Sequence, residues 1–432
     1  MYRELVSLAS QGKPIRVAVT GAGGFMGRGI CLQLGITPGF RLVAAVDVDQ
    51  SQAAEAARLY GAPWIEATSK AGIAQALAHD RTVVTDDFFA LLDQTQNPID
   101  VLVESTNNLG FALRAVEAAL RNGIHVVLMN AELDCFFGPW LHHVAEASGT
   151  LVSSDAGDQH GVLLRLLEEI QLWGLEVVMA GNIKGFLDRY ATPTSILAEA
   201  KLRNLDPVAC AAMTDGTKLN IEMALVANAT GLIPARPGMI GPRAQHVGEV
   251  FDQFDLPSLR NPGVVDYLLG AEPGGGVFAV GYCEHPVQRE YLKYYKMGQG
   301  PFYLFYRPYH LCHMETPYAI ASLAIGKRPI LIPQRRRVAD VVAYAKCDLT
   351  ATSEIPIGLG GEHLYGMIER QTTLRSSEQV PISLFEQEPG EQRVRITRPV
   401  RKDQPITWAD IDLPDTHLVE TFHRQQSLLG AP

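Results

Sequence analysis

The fold of this chain is decided by one stretch, Val17-Ala18-Val19-Thr20-Gly21-Ala22-Gly23-Gly24-Phe25-Met26-Gly27. The stretch begins with a short apolar run rich in β-branched residues, continues with glycines and ends in residues that start a helical pattern. This predicts a strand over 15–20, a tight turn and a helix over 26–35. Glycines permit the unusual backbone angles of such a turn and let the backbone approach a pyrophosphate, which the helix N-terminus then faces. The stretch therefore predicts a dinucleotide site.

An acidic residue ends the next predicted strand. Asp47 follows the apolar run 41–46 and lies 20 residues past Gly27, where a carboxylate can accept a hydrogen bond from a ribose 2′-hydroxyl. This favours NAD over NADP, because a 2′-phosphate would be repelled unless a cation stands near. Arg58, on the following helix, is the nearest cation in sequence, so NAD or NADP stays open.

Further cofactor contacts are expected where later strands end, because ligands bind at the carboxyl edge of parallel sheets. Ser105 and Thr106 follow the predicted strand 99–103, and Asn130 follows the predicted strand 125–129. The alternative for each is an ordinary loop cap. The predicted cofactor-binding residues are Gly21, Gly23, Gly24, Phe25, Met26, Gly27, Asp47, Ser105, Thr106 and Asn130.

The amino-acid composition limits the classes of protein to which this chain can belong. The chain has 432 residues, 47% of them hydrophobic and 19% charged, which is typical of a soluble protein with more than one core. A net charge of −10 argues against general nucleic-acid binding, and the short cluster Arg335-Arg336-Arg337 suits a solvated linker. The six cysteines include no CxxC pair, which predicts a reducing cytoplasm. No apolar run approaches the roughly 20 residues of a membrane span. We therefore expect a small-molecule substrate and neither nucleic acid nor membrane as partner.

Three regions are expected along the chain. Strands alternate with helices over 1–155, which predicts an α/β fold, a Rossmann doubly wound parallel sheet. Residues 156–330 predict an α+β catalytic and dimerisation domain, with a hairpin that joins 291–296 to 302–307. Residues 331–432 predict a small β-rich module with a flexible turn at 358–361. An apolar antiparallel sheet such as 276–307 often pairs with a second subunit, so we expect a homodimer or higher homo-oligomer.

Candidate catalytic groups cluster before an apolar helix of the second region. Lys218 and Glu222 are four residues apart and share a helix face, while Asp215 precedes them in a turn. A charged lysine can polarise a substrate oxygen and pass a proton during hydride transfer. We predict Lys218 as the proton donor and acceptor, oriented by Asp215 and Glu222, and Lys184 as the group that holds an acidic part of the substrate. The alternative is a capped helix start with an i,i+4 ion pair.

The segment His310-Leu311-Cys312-His313-Met314-Glu315 suggests a metal cluster at first sight. Side chains alternate faces along a strand, so His310, Cys312 and His313 cannot all bind one ion from a single strand. Packing or a polar loop is favoured for this segment, and we predict no metal site.

Several of these motifs resemble one family. Gly21–Gly27, the strand end Glu104-Ser105-Thr106 and the segment 127–132 resemble homoserine dehydrogenase-like NAD(P)-dependent oxidoreductases. The similarity improves for a subgroup with a C-terminal SAF (antifreeze-like) domain, through the segments 157–159, 215–223, 226–231 and 308–313, and the tail 338–413 resembles that domain. The resemblance implies hydride transfer to or from a small polar carbonyl or alcohol substrate.

The resemblance leaves the substrate open. Homoserine dehydrogenases usually present a lysine where this chain has Glu132, whereas Lys218 matches their second lysine. Some members of the subgroup are similar to 1-deoxy-D-xylulose 5-phosphate reductoisomerase, which makes 2-C-methyl-D-erythritol 4-phosphate. That activity would need a divalent cation, for which Asp215, Glu222 and Glu132 are the carboxylates to test. SAF domains are tied to sugar-acid chemistry, so a polyhydroxylated or phosphorylated substrate is also implied. A non-catalytic NAD(P)-binding sensor or scaffold is the alternative of a different class.

Overall fold

The computed structural model of the chain describes residues 1–93, 98–333 and 337–430. Arg335 and Arg336 of the basic cluster lie outside the described residues. The chain forms two compact units: the first unit is Met1–Asp158 with Leu311–Ile332, and the second unit is Gln159–His310 with Pro333–Pro432. The three-domain division at 155/156 and 330/331 stays a prediction. None of the described helices is both long enough and apolar enough to cross a bilayer.

The first unit alternates strands and helices along the chain. Its strands are β1 (Ile15–Thr20), β2 (Phe40–Val46), β3 (Trp64–Glu66), β4 (Thr82–Thr85), β5 (Val101–Glu104), β6 (His125–Leu128) and β7 (Val152–Ser154). The helices of its first segment are α1 (Tyr2–Ser10), α2 (Phe25–Ile36), α3 (Gln50–Tyr60), α4 (Lys70–Ala78), α5 (Phe88–Leu92), α6 (Leu109–Arg121) and α7 (Ala131–Ser148).

These strands form one seven-stranded sheet in the order β3-β4-β2-β1-β5-β6-β7. All neighbouring strands are parallel, so the predicted doubly wound parallel sheet is confirmed. The chain passes from β1 to β2 on one side and reaches β5 on the other side of β1. The carboxyl ends of β1 and β5 therefore flank the switch point at which such sheets bind ligands.

Helix α7 begins at Ala131, directly after Asn130 at the end of β6. The Asn130 side chain caps it by accepting a hydrogen bond from the Leu133 backbone N–H. Pro139 lies inside the helix and removes one backbone donor. The helix continues through it because residues on both sides, such as Phe137 and Leu141, are buried.

The second unit contains a mixed sheet and two small antiparallel sheets. Its strands are β8 (Glu176–Lys184), β9 (Ile233–Pro234), β10 (Val264–Leu269), β11 (Val277–Tyr282), β12 (Phe302–Arg307), β13 (Ala339–Ala345), β14 (Glu354–Ile355), β15 (Leu364–Arg370), β16 (Val394–Ile396) and β17 (Ile411–Asp412). The remaining helices are α8 (Gln159–Leu172), α9 (Leu197–Arg203), α10 (Pro207–Thr214), α11 (Thr217–Thr230), α12 (Val250–Gln253), α13 (Leu256–Leu259), α14 (Pro286–Tyr294), α15 (Thr316–Ala324), α16 (Gln371–Ser377) and α17 (His417–Leu428). Of these, α15 belongs to the first unit, where it packs on β6, β7 and α2.

The large sheet of the second unit has the order β12-β11-β8-β10-β9. The predicted hairpin of 291–296 with 302–307 is wrong, because residues 286–294 form α14 and β12 pairs antiparallel with β11. Pro286 at the first helical position favours a helix there. β12 is an edge strand of this sheet, and the expected homo-oligomer stays a prediction.

In the C-terminal region, β13 pairs with β15 in one sheet. A second sheet has the strand order β14-β16-β17. A turn is present at 358–361 as predicted, but it is packed against its surroundings, contrary to the expected flexibility. Gly358 and Leu359 donate their backbone N–H groups to Glu386 Oε1 at 3.0 and 2.7 Å. A Cβ at Gly360, where φ is +70°, would lie 2.2 Å from the Val208 carbonyl oxygen of α10. The resemblance of this region to an SAF domain stays a prediction.

Candidate active site

The glycine turn lies between β1 and α2, at the switch point of the first unit. Gly21 has a φ of +67°, and a Cβ there would lie 2.7 Å from the Ser105 carbonyl oxygen. Gly24 precedes α2 without a side-chain cap, and Phe25 and Met26 are the first two helical residues. Backbone N–H groups at an uncapped helix start suit a phosphate. The predicted strand, tight turn and helix are thus present.

Asp47 is bound to the same turn. Its Oδ2 accepts a hydrogen bond from the Gly23 backbone N–H at 2.9 Å, and its Oδ1 accepts one from the Asp49 backbone N–H at 3.0 Å. Arg58, the cation considered for a 2′-phosphate, forms an ion pair with Glu55 one turn earlier on α3. The carboxylate of Asp47 is therefore the charge fixed directly against the glycine turn.

A cluster of polar groups lies where β5 and β6 end. Glu104 Oε1 accepts hydrogen bonds from the Thr106 backbone N–H at 2.8 Å and from the Thr106 hydroxyl. Asn130 Nδ2 donates to the Thr106 carbonyl oxygen at 3.0 Å. Ser105 has a different role, because its hydroxyl donates to the Thr20 carbonyl oxygen at 2.6 Å and joins β5 to β1.

Glu104 was not singled out from the sequence as a site residue. The signal was present, because a glutamate ends an otherwise apolar strand. Its side chain is fully buried, and burial raises its pKa to about 7, against the hydrogen bonds from Thr106 that lower it.

The pH dependence of folding tests this burial. The folded state holds the Glu104 proton more tightly than the unfolded state, so folding loses stability from this group as the pH rises from about 4.5 through about 7. Because Glu104→Gln is neutral throughout, its free energy of unfolding should rise relative to wild type by about 3 kcal/mol between pH 4.5 and pH 8. Urea unfolding at both pH values measures the difference, and parallel pH curves for the two proteins would contradict it.

The segment 310–315 is not a strand, so the alternation of strand faces used against a metal cluster does not apply to it. Cys312–Met314 form a 3-10 turn, and the Cys312 backbone N–H donates to the Gly157 carbonyl oxygen at 2.9 Å. The His313 ring packs on Gly29 of α2, where a Cβ would lie 2.7 Å from the ring. Burial lowers the pKa of His313, so packing on the helix of the glycine turn favours a neutral imidazole.

In the second unit, the structure connects Glu222 to Asn182 and Gln159, neither of which was among the predicted catalytic residues. Asn182, on β8, donates through Nδ2 to Glu222 Oε2 at 2.8 Å and to Gln159 Oε1 at 3.0 Å. All three side chains are buried, and Asn182 Oδ1 accepts no hydrogen bond from the described residues. Their sequence separations explain why spacing alone could not group them.

Lys218 lies one helical turn before Glu222 on α11 and is half-buried. A different set of α11 side chains faces the C-terminal region: Thr217 and Asn220 accept backbone N–H groups of β15, and Asn228 binds the start of β13. Lys218 and Glu222, one turn apart, lie on a different face of α11 from this set, and their predicted catalytic roles stay predictions.

Lys184 ends β8, two residues after Asn182, so the two side chains point to the same side of the sheet. The Lys184 ammonium makes no hydrogen bond or ion pair with any of the described residues, and its side chain is half-buried. A cation in this position can bind an acidic group of a substrate.

Asp215 has a partner that the sequence did not suggest. Its Oδ2 lies 2.8 Å from Lys346 Nζ, and both side chains are buried. Lys346 also donates to the carbonyl oxygens of Ala191 and Gly361 at 2.6 and 2.7 Å, while Asp215 Oδ1 accepts the Thr217 backbone N–H at 2.8 Å. Asp215 thus anchors the start of α11 to the C-terminal region, and the predicted orientation of Lys218 rests on Glu222.

Breaking this buried pair should be costly. Lys346→Met leaves the Asp215 carboxylate buried without its counter-ion, and the free energy of unfolding should fall by about 3–5 kcal/mol. The exposed pair Arg395–Asp412 provides the matched control, because Arg395→Met removes a solvent-screened ion pair and should leave the free energy of unfolding nearly unchanged. Urea unfolding of both variants measures the difference, and equal losses would refute the structural role of Asp215.

Comparison with known proteins gives one family match and several distant structural likenesses. Residues 157–316 match the family described as "Oxidoreductase DRL, catalytic domain". No curated protein matches the sequence. The prediction of an oxidoreductase is confirmed by the catalytic-domain match.

Three solved structures illustrate the structural likenesses. A putative myo-inositol dehydrogenase from Sinorhizobium meliloti is 13% identical, with 73% of this chain and 91% of that chain covered and a TM-score of 0.39. The UDP-N-acetylglucosamine 3-dehydrogenase GnnA from Acidithiobacillus ferrooxidans is 15% identical, with 73% and 91% covered and a TM-score of 0.40. The 1-deoxy-D-xylulose 5-phosphate reductoisomerase from Zymomonas mobilis, in complex with NADPH, is 19% identical, with 48% and 57% covered and a TM-score of 0.33.

Proposed function

We propose that the chain is an NAD(P)-dependent oxidoreductase that transfers a hydride to or from a small polar carbonyl or alcohol substrate. The observation that carries the proposal is the glycine turn, which leads into the uncapped start of α2 and binds Asp47 through the Gly23 N–H. The match of residues 157–316 to an oxidoreductase catalytic domain supports the same class.

The residues of the glycine turn fit a dinucleotide. Backbone N–H groups at the start of α2 would hold the pyrophosphate, and Asp47 would accept from a ribose hydroxyl. Thr106 and Asn130 would lie near the nicotinamide, at the ends of β5 and β6. A bound nicotinamide supplies the hydride, and the protein supplies orientation and electrostatics.

The polar groups of the second unit would handle the substrate. Lys218 would give a proton to the substrate oxygen during reduction and remove it during oxidation. Glu222, itself held by Asn182, would keep the Lys218 ammonium in place. Lys184 would bind an acidic or phosphorylated group, which leaves a homoserine-like, polyhydroxylated or phosphorylated substrate as the candidates.

The decisive experiment combines binding with turnover. Purified protein is titrated with NADH and with NADPH while the protein fluorescence is followed, and each mixture is then challenged with aldehydes, keto acids and sugar phosphates. Saturable binding with oxidation of the cofactor by at least one substrate class is expected. Binding without oxidation across the panel would instead favour a sensor or scaffold, and absence of binding would refute the proposal.

A chelator arm tests the reductoisomerase alternative, which needs a divalent cation. Asp215 forms a buried ion pair with Lys346. Of the three carboxylates named as ligands for that cation, only Glu222 and Glu132 therefore stay candidates. We therefore expect turnover to survive the chelator. Its loss, with recovery on addition of Mg²⁺ or Mn²⁺, would favour the reductoisomerase.

Asp47 should control the choice of dinucleotide. Asp47→Asn removes the negative charge that repels a 2′-phosphate, so the ratio of NADPH affinity to NADH affinity should rise about tenfold. Fluorescence titration with both cofactors measures the ratio. Asp49→Asn, a neighbouring exposed carboxylate that caps α3, is the control and should leave the ratio unchanged. An unchanged ratio in Asp47→Asn would remove Asp47 from the cofactor site.

A further inference from the structure

Thr106 has an unusual set of contacts for a residue at the carboxyl edge of a parallel sheet, where ligands bind. Its hydroxyl and its backbone N–H both donate to Glu104 Oε1, and its carbonyl oxygen accepts from Asn130 Nδ2. The side chain is nevertheless half-exposed. A hydroxyl has one proton and two lone pairs, so a hydroxyl that has given its proton to Glu104 can act toward a ligand only as an acceptor.

Glu104 is poorly explained as a residue that stabilises the fold. Its Oε2 is buried and has no hydrogen-bond partner among the described residues, and a buried carboxyl with an unsatisfied oxygen lowers stability. The neighbouring Ser105 makes a contact that does stabilise the fold, because its hydroxyl donates to β1 and so joins β5 to β1. The Glu104 carboxyl instead accepts both hydrogen bonds of Thr106, beside the Asn130 side chain, which also lowers the pKa of Glu104.

We propose that Glu104 is a positioning residue that fixes the polarity of the Thr106 hydroxyl, so that Thr106 presents only lone pairs to the bound dinucleotide and recognises the amide N–H of its nicotinamide end. The inference rests on the proposed dinucleotide binding. The 104–106 segment lies directly against the turn, because a Cβ at Gly21 would be 2.7 Å from the Ser105 oxygen and 2.9 Å from the Thr106 nitrogen. Glu104 acts through Thr106 and does not itself contact the ligand.

The test uses a dinucleotide analogue that lacks the amide N–H. Reduced 3-acetylpyridine adenine dinucleotide keeps the ring carbonyl but replaces the amide nitrogen by a methyl group. Wild-type protein should bind the natural reduced dinucleotide about tenfold more tightly than this analogue, which is the value of one hydrogen bond. Fluorescence titration gives both dissociation constants and hence their ratio.

Matched variants separate the effect of the orientation of the Thr106 hydroxyl from a general loss of structure. Thr106→Val removes the hydroxyl at constant shape, and Glu104→Met frees it to rotate, so both should bring the ratio close to one. Thr106→Ser keeps the hydroxyl, and Glu104→Gln keeps an acceptor oxygen for it, so both should retain the wild-type ratio. Glu117→Met, at a buried glutamate that binds Trp140 elsewhere in the same unit, should also retain it.

The outcomes distinguish this inference from the proposed function. If no dinucleotide binds to wild-type protein, the proposed function fails. If both dinucleotides bind equally well to wild-type protein, or if Thr106→Val keeps the tenfold preference, dinucleotide binding stands and the inference is overturned. Because Thr106→Val and Thr106→Ser differ little in size, the comparison stays decisive even where Glu104→Met fails to fold.

Discussion

Replacing Lys218 with methionine is expected to lower turnover by about 10²- to 10⁴-fold while the affinity for the dinucleotide stays unchanged. The size follows from the usual contribution of one acid–base group. The cofactor is assigned to the glycine turn of the first unit, whereas Lys218 lies on α11 of the second unit, so the two functions should separate. Steady-state kinetics and fluorescence titration measure the two quantities on the same preparation.

Two further variants define the role of Lys218. Lys201→Met changes an exposed lysine of α9 in the same unit and should leave turnover unchanged. Glu222→Gln keeps an oxygen for Asn182 but removes the charge beside Lys218, so turnover should fall and its pH profile should shift. Undiminished turnover in Lys218→Met would remove this lysine from the mechanism.

Replacing Gly27 with alanine is expected to abolish dinucleotide binding and to lower the free energy of unfolding by about 1–3 kcal/mol. A Cβ at this position would lie 2.1 Å from the Gly21 carbonyl oxygen and 2.7 Å from the Ala22 Cα. Both are backbone atoms of the turn, which cannot move without distorting the phosphate site. The clash should outweigh the gain of about 1 kcal/mol that alanine normally brings inside a helix.

The control for Gly27 is Gly72, which lies in helix α4 of the same unit. The nearest atom to a Cβ there is the Ser69 Oγ at 3.2 Å, a side-chain atom at the helix start. Gly72→Ala should therefore change stability by no more than about 1 kcal/mol and leave binding intact. Thermal unfolding and NADH titration of both variants measure the contrast, and normal binding by Gly27→Ala would contradict the assignment of the turn.

Local sequence signals predicted the first unit well, because its elements follow from short-range patterns. The strand over Ile15–Thr20 has the predicted bounds, and the helix predicted over 26–35 is α2, Phe25–Ile36. The same signals misplaced α14, since tyrosine-rich residues before a glycine-containing turn suit a strand as readily as a helix. Pairing of β12 with β11 decided that question, and pairing depends on residues distant in sequence.

The candidate site shows the same division. The sequence by itself determined the glycine turn, Asp47 and the shared face of Lys218 and Glu222, because each depends on spacing within a strand, a turn or a helix. Only the tertiary structure revealed that Asn182 joins Glu222 to Gln159, that Lys346 takes Asp215 and that Glu104 binds Thr106 inside the sheet edge. Buried polar groups must find partners wherever the fold places them, and spacing along the chain does not specify which partners those are.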